Sequence, residues 1–148
     1  MRYTTKTEYG VVCLIYMTCN YPKQVTIKDM ANSEQYSVTY IEKILQSLRS
    51  AGIVQSHQGI HGGYTLSRPP SQINLKEIIE ALEGSTYDAF CEQDNRGKIV
   101  CTHVNGCGAR PVWKRTKEIL DLFFSSISLE TVSKAEKDVI NNLIQIHL

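Results

Sequence analysis

Apolar positions recur at helical spacing three times along the first half of the chain, and then the period shortens. After Thr5, the stretch KTEYGVVCLIYMTCN carries Val11, Val12, Leu14, Ile15 and Met17, a pattern that predicts a helix closed by Asn20 and Pro22. Thr26 followed three residues later by Asp29 resembles a capping box with the shorter acid and predicts a short helix through Ala31. In YSVTYIEKILQSLRSAG, Ile41, Ile44, Leu45 and Leu48 fall at the i, i+3, i+4, i+7 positions of one buried face, with Ser37 as N-cap and Gly52 just past the end. Past Gly52 the sequence IVQSHQGIHGGYTLSRPP holds two β-prone runs, Ile53 to His57 and Tyr64 to Ser67, around a glycine-rich turn. Pro69 and Pro70 end the hairpin.

Helical spacing returns after Asn74, where Leu75, Ile78, Ile79 and Leu82 share a face and Gly84 stops it. Beyond Pro111, Val112, Thr116, Ile119, Leu120, Phe123 and Ile127 trace an apolar stripe over about four turns. From Lys134 to Leu148, Val139, Leu143 and Ile146 predict a last helix. Three short helices followed by a two-stranded hairpin is the order of a winged helix-turn-helix, in which the third helix enters a major groove. The expected fold is therefore mainly α, a winged helix-turn-helix with a long C-terminal dimerisation helix. Residues 1–84 form the expected DNA-binding domain with its linker helix, 85–110 a cysteine loop, and 111–148 the dimerisation helix and tail helix. A long amphipathic helix outside a compact winged domain needs a partner surface, and its own symmetry mate is the simplest, so a homodimer is expected.

The chain has 148 residues, 42% of them apolar, enough for one ordinary core. No window approaches the roughly 18 apolar residues of a membrane span, and the start lacks the apolar region of a signal peptide, so a cytoplasmic protein is expected. Residues 1–75 hold seven Lys/Arg against four Asp/Glu, a net +3, whereas 76–148 hold nine against eleven, a net −2. The asymmetry hints at an anionic partner for the first half, although a solvated surface also produces so small an excess. No nucleophile with a base and orienter, no phosphate loop and no clustered acids occur, which argues against an enzyme.

On the third helix, Ser37, Thr39, Tyr40 and Lys43 lie opposite the apolar stripe and suit phosphate and base-edge contacts; as ordinary surface, Ser37 merely caps. Gln58, Ile60 and His61 sit at the wing tip, with Gly59, Gly62 and Gly63 serving either close approach to a phosphate or simple turn geometry. A winged-helix module that binds protein partners instead of DNA is the reading from another class.

Residues 91–107, CEQDNRGKIVCTHVNGC, put three cysteines into a stretch without apolar period. In a reducing compartment, closely spaced thiols are metal ligands or redox groups more often than disulfides. The C-x9-C-x5-C spacing of Cys91, Cys101 and Cys107 supplies three of the four ligands of a two-iron or four-iron cluster, and thiolate softness favours iron–sulfur or zinc. Gly97, Gly106 and Gly108, with Asn95 and Asn105, suit a loop that turns round such a group; three free surface thiols remain the alternative. His103 in the loop and Glu8 on the first helix are candidates for the fourth ligand, and Glu8 also reads as a first-turn acid favouring the helix dipole. Cys13 and Cys19 lie on different faces of the first helix, the former expected to be buried and the latter partly exposed, while Trp113 is expected to pack under the loop.

Taken together, MRYTTKTEYG, SVTYIEKILQSLRSAGIV, GIHGGYTLSRPPSQINLKEIIEALEG, the three loop cysteines and RPVW resemble the Rrf family of bacterial winged-helix transcription regulators, the IscR- and NsrR-like iron–sulfur sensors among them. The resemblance covers most of the chain. It implies a homodimer binding an imperfect palindrome in double-stranded DNA, with Ser37, Thr39, Tyr40 and Lys43 near bases or phosphates and the wing in the minor groove. It also implies an iron–sulfur cluster at the loop, completed in some members by a carboxylate at the position of Glu8 from the other subunit. Other members use a histidine three residues after the third cysteine, where this chain has Arg110, which cannot ligate. Many members carry arginine where this chain has Gln58, so operator preference is expected to differ. A cluster-free thiol or zinc regulator is the alternative within the same fold.

Overall fold

The computed structural model describes residues 3–89, 91, 101–103 and 106–146. Its elements run α1 (Thr5–Cys19), α2 (Ile27–Glu34), α3 (Val38–Ser50), β1 (Val54–His57), β2 (Gly63–Leu66), a 3-10 turn (Pro70–Gln72), α4 (Leu75–Glu83), α5 (Ala109–Ser125), α6 (Leu129–Val132) and α7 (Glu136–Ile144). The strands pair antiparallel, Val54 opposite Leu66 and His57 opposite Gly63. The fold is mainly helical with a two-stranded wing, as the apolar pattern predicts.

Local chemistry sets the boundaries. Thr26 and Asp29 form a reciprocal capping box at α2, Ser37 accepts from the Tyr40 amide at α3, and Asn74 and Glu77 form a second box at α4. Each such cap satisfies amides the first turn leaves open and is worth about 1 kcal/mol. Gly84 closes α4 at φ 90°, a left-handed conformation that costs glycine least. The expected stripe Ile41, Ile44, Leu45 and Leu48 is fully buried against Leu14, Ile53, Ile73 and Ile78, and full burial of each such side chain contributes about 1.5–3 kcal/mol. Cys13 lies in this core and Cys19 is exposed, as expected. Gly10 lets α1 and α4 approach: a Cβ there would stand 2.5 Å from Leu82 Cδ1.

The C-terminal third departs from the expectation in three places. α5 begins at Ala109, so that Pro111 lies inside its first turn; the missing proline N–H costs nothing there, because the first four amides have no intrahelical acceptor. Ile127 leaves the α5 stripe and is buried, and next to it the short α6, absent from the sequence reading, places Leu129 in the winged core at 0% exposure. Backbone bonds fasten this return: the Leu75 amide donates to Ile127 O at 2.9 Å, and the Leu129 amide to Ile73 O at 2.7 Å. Trp113 does not pack as a covered anchor, because it is 43% exposed. No α5 residue is buried, and Val112, Ile119 and Leu122 present an open apolar face. On its other side α5 is held to α4 by Lys76 with Asp121 (3.6 Å) and to the segment just after α4 by the buried Thr86 hydroxyl donating to Asp121 and by Lys117 donating to Ser85 Oγ (2.7 Å).

Candidate DNA interface and cysteine loop

The α2–turn–α3 unit is built around Gln35, whose φ of 59° reverses the chain, and Ser37, which starts α3. Ile41, Ile44, Leu45 and Leu48 anchor α3 inward, so Thr39, Glu42, Lys43 and Gln46 form the outward row at helical spacing. Ser37, Thr39 and Lys43 are exposed as expected. Glu42 and Gln46 share their face, which the i+3 and i+7 spacing from Thr39 already encodes.

Tyr40 differs, because it is half-buried and its ring meets Tyr9 edge-on at 5.4 Å. Tyr9 in turn stacks on Tyr36 at 3.9 Å with the rings 2° from parallel. Burial first, and then the neighbouring Tyr9 phenol, push the Tyr36 hydroxyl above its ordinary value. The three rings tie α1 to the α2–α3 turn and to the first turn of α3.

Gln58 and His61 are exposed at the wing tip, and Ile60 between them is 100% exposed. The glycines serve the hairpin itself. Gly59 has φ 115°, its carbonyl accepts from the Gly62 amide at 2.8 Å, and a Cβ on Gly63 would stand 2.5 Å from Val25 O. That close approach lets Val25 and Tyr64 exchange two backbone bonds, at 3.0 and 2.8 Å, which fix the wing to the α1–α2 connection. Gln24 Nε2 donates to His61 O, and Arg49 at the end of α3 donates to Ser56 Oγ on β1 at 3.2 Å.

Glu8 is exposed in the first turn of α1. That turn is fastened from outside by Glu83 of α4, whose Oε1 accepts from Thr4 N (2.9 Å), Thr4 Oγ1 (2.6 Å) and Thr7 Oγ1 (2.6 Å). Burial pushes the Glu83 carboxyl up, but the bonds from Thr4 and Thr7 outweigh it and hold the group below its ordinary value. Cys91, Cys101 and Cys107 are half-buried, Cys107 directly before α5, with the Arg110 amide donating to its carbonyl at 3.3 Å. His103 is exposed beside Thr102. Gly97, Asn95 and Asn105 lie outside the described residues, whereas Gly106 adopts φ 86°. Three thiols in one loop suit a soft metal centre in kind. In the single chain, however, no group of three or more His, Cys, Asp or Glu side chains converges into a metal site among the described residues.

A recognition helix with a free polar face, capped by Ser37 and flanked by a pinned hairpin, defines a winged helix-turn-helix protein of the DNA-binding regulator class. Residues 3–135 match the Rrf2 family model, described as "Iron-dependent Transcriptional regulator", and the chain belongs to that family. It is a DNA-binding transcriptional regulator, and the family is one of regulators and not of enzymes. Over 114 residues it is 33% identical to Protein rrf2 of Nitratidesulfovibrio vulgaris, which covers 76% of this chain and 74% of that one. It is 30% identical over 138 residues to the HTH-type transcriptional regulator IscR of Xenorhabdus nematophila, covering 93% and 82%. Among solved structures, CymR (YrzC), the global cysteine regulator of B. subtilis, superposes with a TM-score of 0.73 at 25% identity, covering 90% of this chain and 96% of that one. No described helix is long and apolar enough to cross a membrane.

Proposed function

We propose that this chain is a cytoplasmic homodimer that binds an imperfect palindrome and whose affinity is set by an iron–sulfur cluster at Cys91, Cys101 and Cys107, with Glu8, contributed across the dimer, as fourth ligand. When bound, such a cluster supplies an iron centre sensitive to redox state and to small ligands. The observation that carries the reading is the placement of the thiols: Cys107 lies two residues before α5, whose apolar face has no cover among the described residues. Two copies joined along that face bring both loops and both recognition helices into one body, with half-sites about 34 Å apart.

The chain's own residues connect the loop to the reading head. Glu83 holds the first turn of α1 in register through Thr4 and Thr7. Glu8 is followed by Tyr9, and the Tyr9–Tyr36 stack and Tyr40 edge carry a shift of that turn to the start of α3. A ligand to Glu8 therefore biases how Ser37, Thr39 and Lys43 meet DNA.

A second reading is a cluster-free thiol or zinc regulator; its thiol form is favoured by one observation, that the described cysteines do not converge in the single chain, which counts against zinc as much as against a cluster. Iron and acid-labile sulfide per subunit, measured on protein purified without oxygen beside a Cys101→Ala control, separate the two. Matched iron and sulfide, absent from the control, support the cluster. Colourless protein without sulfide after anaerobic reconstitution sinks it. Light scattering on the same samples tests the dimer, and a monomer at micromolar concentration removes the shared site.

A further inference from the structure

We infer that Ile60 is a DNA-contacting residue, an apolar tip that seats in the minor groove beside the segment met by α3. The inference rests on the reading that the wing faces DNA. From Ser50 to Ser67 the chain contains no lysine or arginine, so the whole wing lacks the side chains that ordinarily neutralise phosphates. Of its imidazoles, His57 Nε2 is 2.8 Å from Thr65 Oγ1 across the hairpin, and His61 is exposed beside Ile60, with only its backbone carbonyl accepting from Gln24. What the apex offers instead is an isoleucine 100% exposed, which adds nothing to the folded core and gains only when a partner covers it.

The turn under Ile60 is braced by hydrogen bonds on both sides. The Gly62 amide bonds Gly59 O at 2.8 Å and closes a four-residue turn with Ile60 and His61 at its apex. The paired amides of Val25 and Tyr64 and the Gln24 contact brace that turn from below. A tip held this way has little ordering entropy left to lose on binding. The minor groove, about 6 Å wide, is walled by sugar C–H groups and admits one side chain of this size, against the sugars or as a wedge at a flexible base step.

The test uses the full-length protein and a duplex selected by the wild type from a random-sequence pool, with affinity followed by fluorescence anisotropy between 50 and 200 mM salt, about the range over which phosphate contacts are resolved. Ile60→Ala, whose melting temperature stays at the wild-type value because the side chain packs on nothing, weakens binding roughly tenfold through two wings per dimer and leaves the salt slope unchanged. Ile60→Arg tightens binding and steepens the slope by about 0.9 for each phosphate it reaches. If Ile60→Arg tightens while Ile60→Ala binds like the wild type, the wing is at the DNA but its apolar tip contributes nothing, and the inference fails alone. If neither variant changes affinity, the wing does not face DNA and the underlying reading fails with it. A weaker Ile60→Ala complex with a shallower slope also overturns the inference, since the loss then lies in phosphate contacts.

Discussion

Replacing Glu83 removes the one oxygen that accepts three hydrogen bonds from the first turn of α1. In Glu83→Ala the Thr7 hydroxyl, in a residue only 5% exposed, is left without an acceptor, a penalty of about 1–3 kcal/mol. The two bonds from exposed Thr4 add about 0.5–1.5 kcal/mol together, so the expected loss is about 1.5–4.5 kcal/mol. For a chain of this size that lowers the melting temperature by roughly 5–15 °C. Glu83→Gln keeps an oxygen acceptor and loses only the charge, so about 1 kcal/mol is expected at pH 7. The sign with pH follows from the carboxyl, held below its ordinary value of 4.5 in the fold. Its stabilisation is complete above that unfolded-state value and is lost as the pH falls through the native one, so the gap between wild type and Glu83→Gln closes in acid. Urea denaturation at pH 7 and pH 4, with a double-mutant cycle against Thr7→Val, measures both effects. A Glu83→Ala protein within about 0.5 kcal/mol of wild type, with no coupling to Thr7, would refute the reasoning.

Three shorter expectations follow from other contacts. Gly63→Ala sets a Cβ 2.5 Å from Val25 O, so the Val25–Tyr64 bridge must open at a cost of about 1–3 kcal/mol; the Tyr64 amide should then exchange with solvent far faster, and unchanged protection would contradict the close approach. Burial, and secondarily the Glu34 charge, push the Cys13 thiol up to about 11. Iodoacetamide at pH 8 should therefore label Cys19 and spare Cys13, and the fold should lose stability as pH rises from about 9, the unfolded value, to about 11; equal labelling in native protein would be the contrary result. Lys43→Ala should weaken binding to all duplexes alike and reduce the salt slope by about one for each Lys43 at a phosphate, whereas a loss confined to one sequence would place Lys43 on a base and not on a phosphate.

The elements of the winged unit were legible because their chemistry is local. Ser37 caps an amide three residues on, Thr26 and Asn74 do the same, and the buried stripe of α3 leaves its outward row by subtraction. The features that escaped the sequence depend on distant partners. Glu83 meets Thr4 across 79 positions, and as a string of letters it is only the last acid of an amphipathic helix. The Tyr9–Tyr36–Tyr40 group needs α1 laid against the α2–α3 turn before any ring finds another. α6 is four residues long with a single core side chain, too short for any period to reveal. For the cysteines the sequence supplies donor types and spacing, whereas bringing them together is a matter of tertiary arrangement that spacing does not encode, and among the described residues of the single chain they do not converge.

The return of Leu129 to Ile73 bears on how the protein is born. A chain leaving the ribosome N-terminus first exposes α1 to α4 with a vacancy in their midst, because the side chain that fills it and the backbone bond that seals it come from beyond α5. Leu129 and its bond to Ile73 O therefore join the core only after the segment between α4 and α6 has been synthesised.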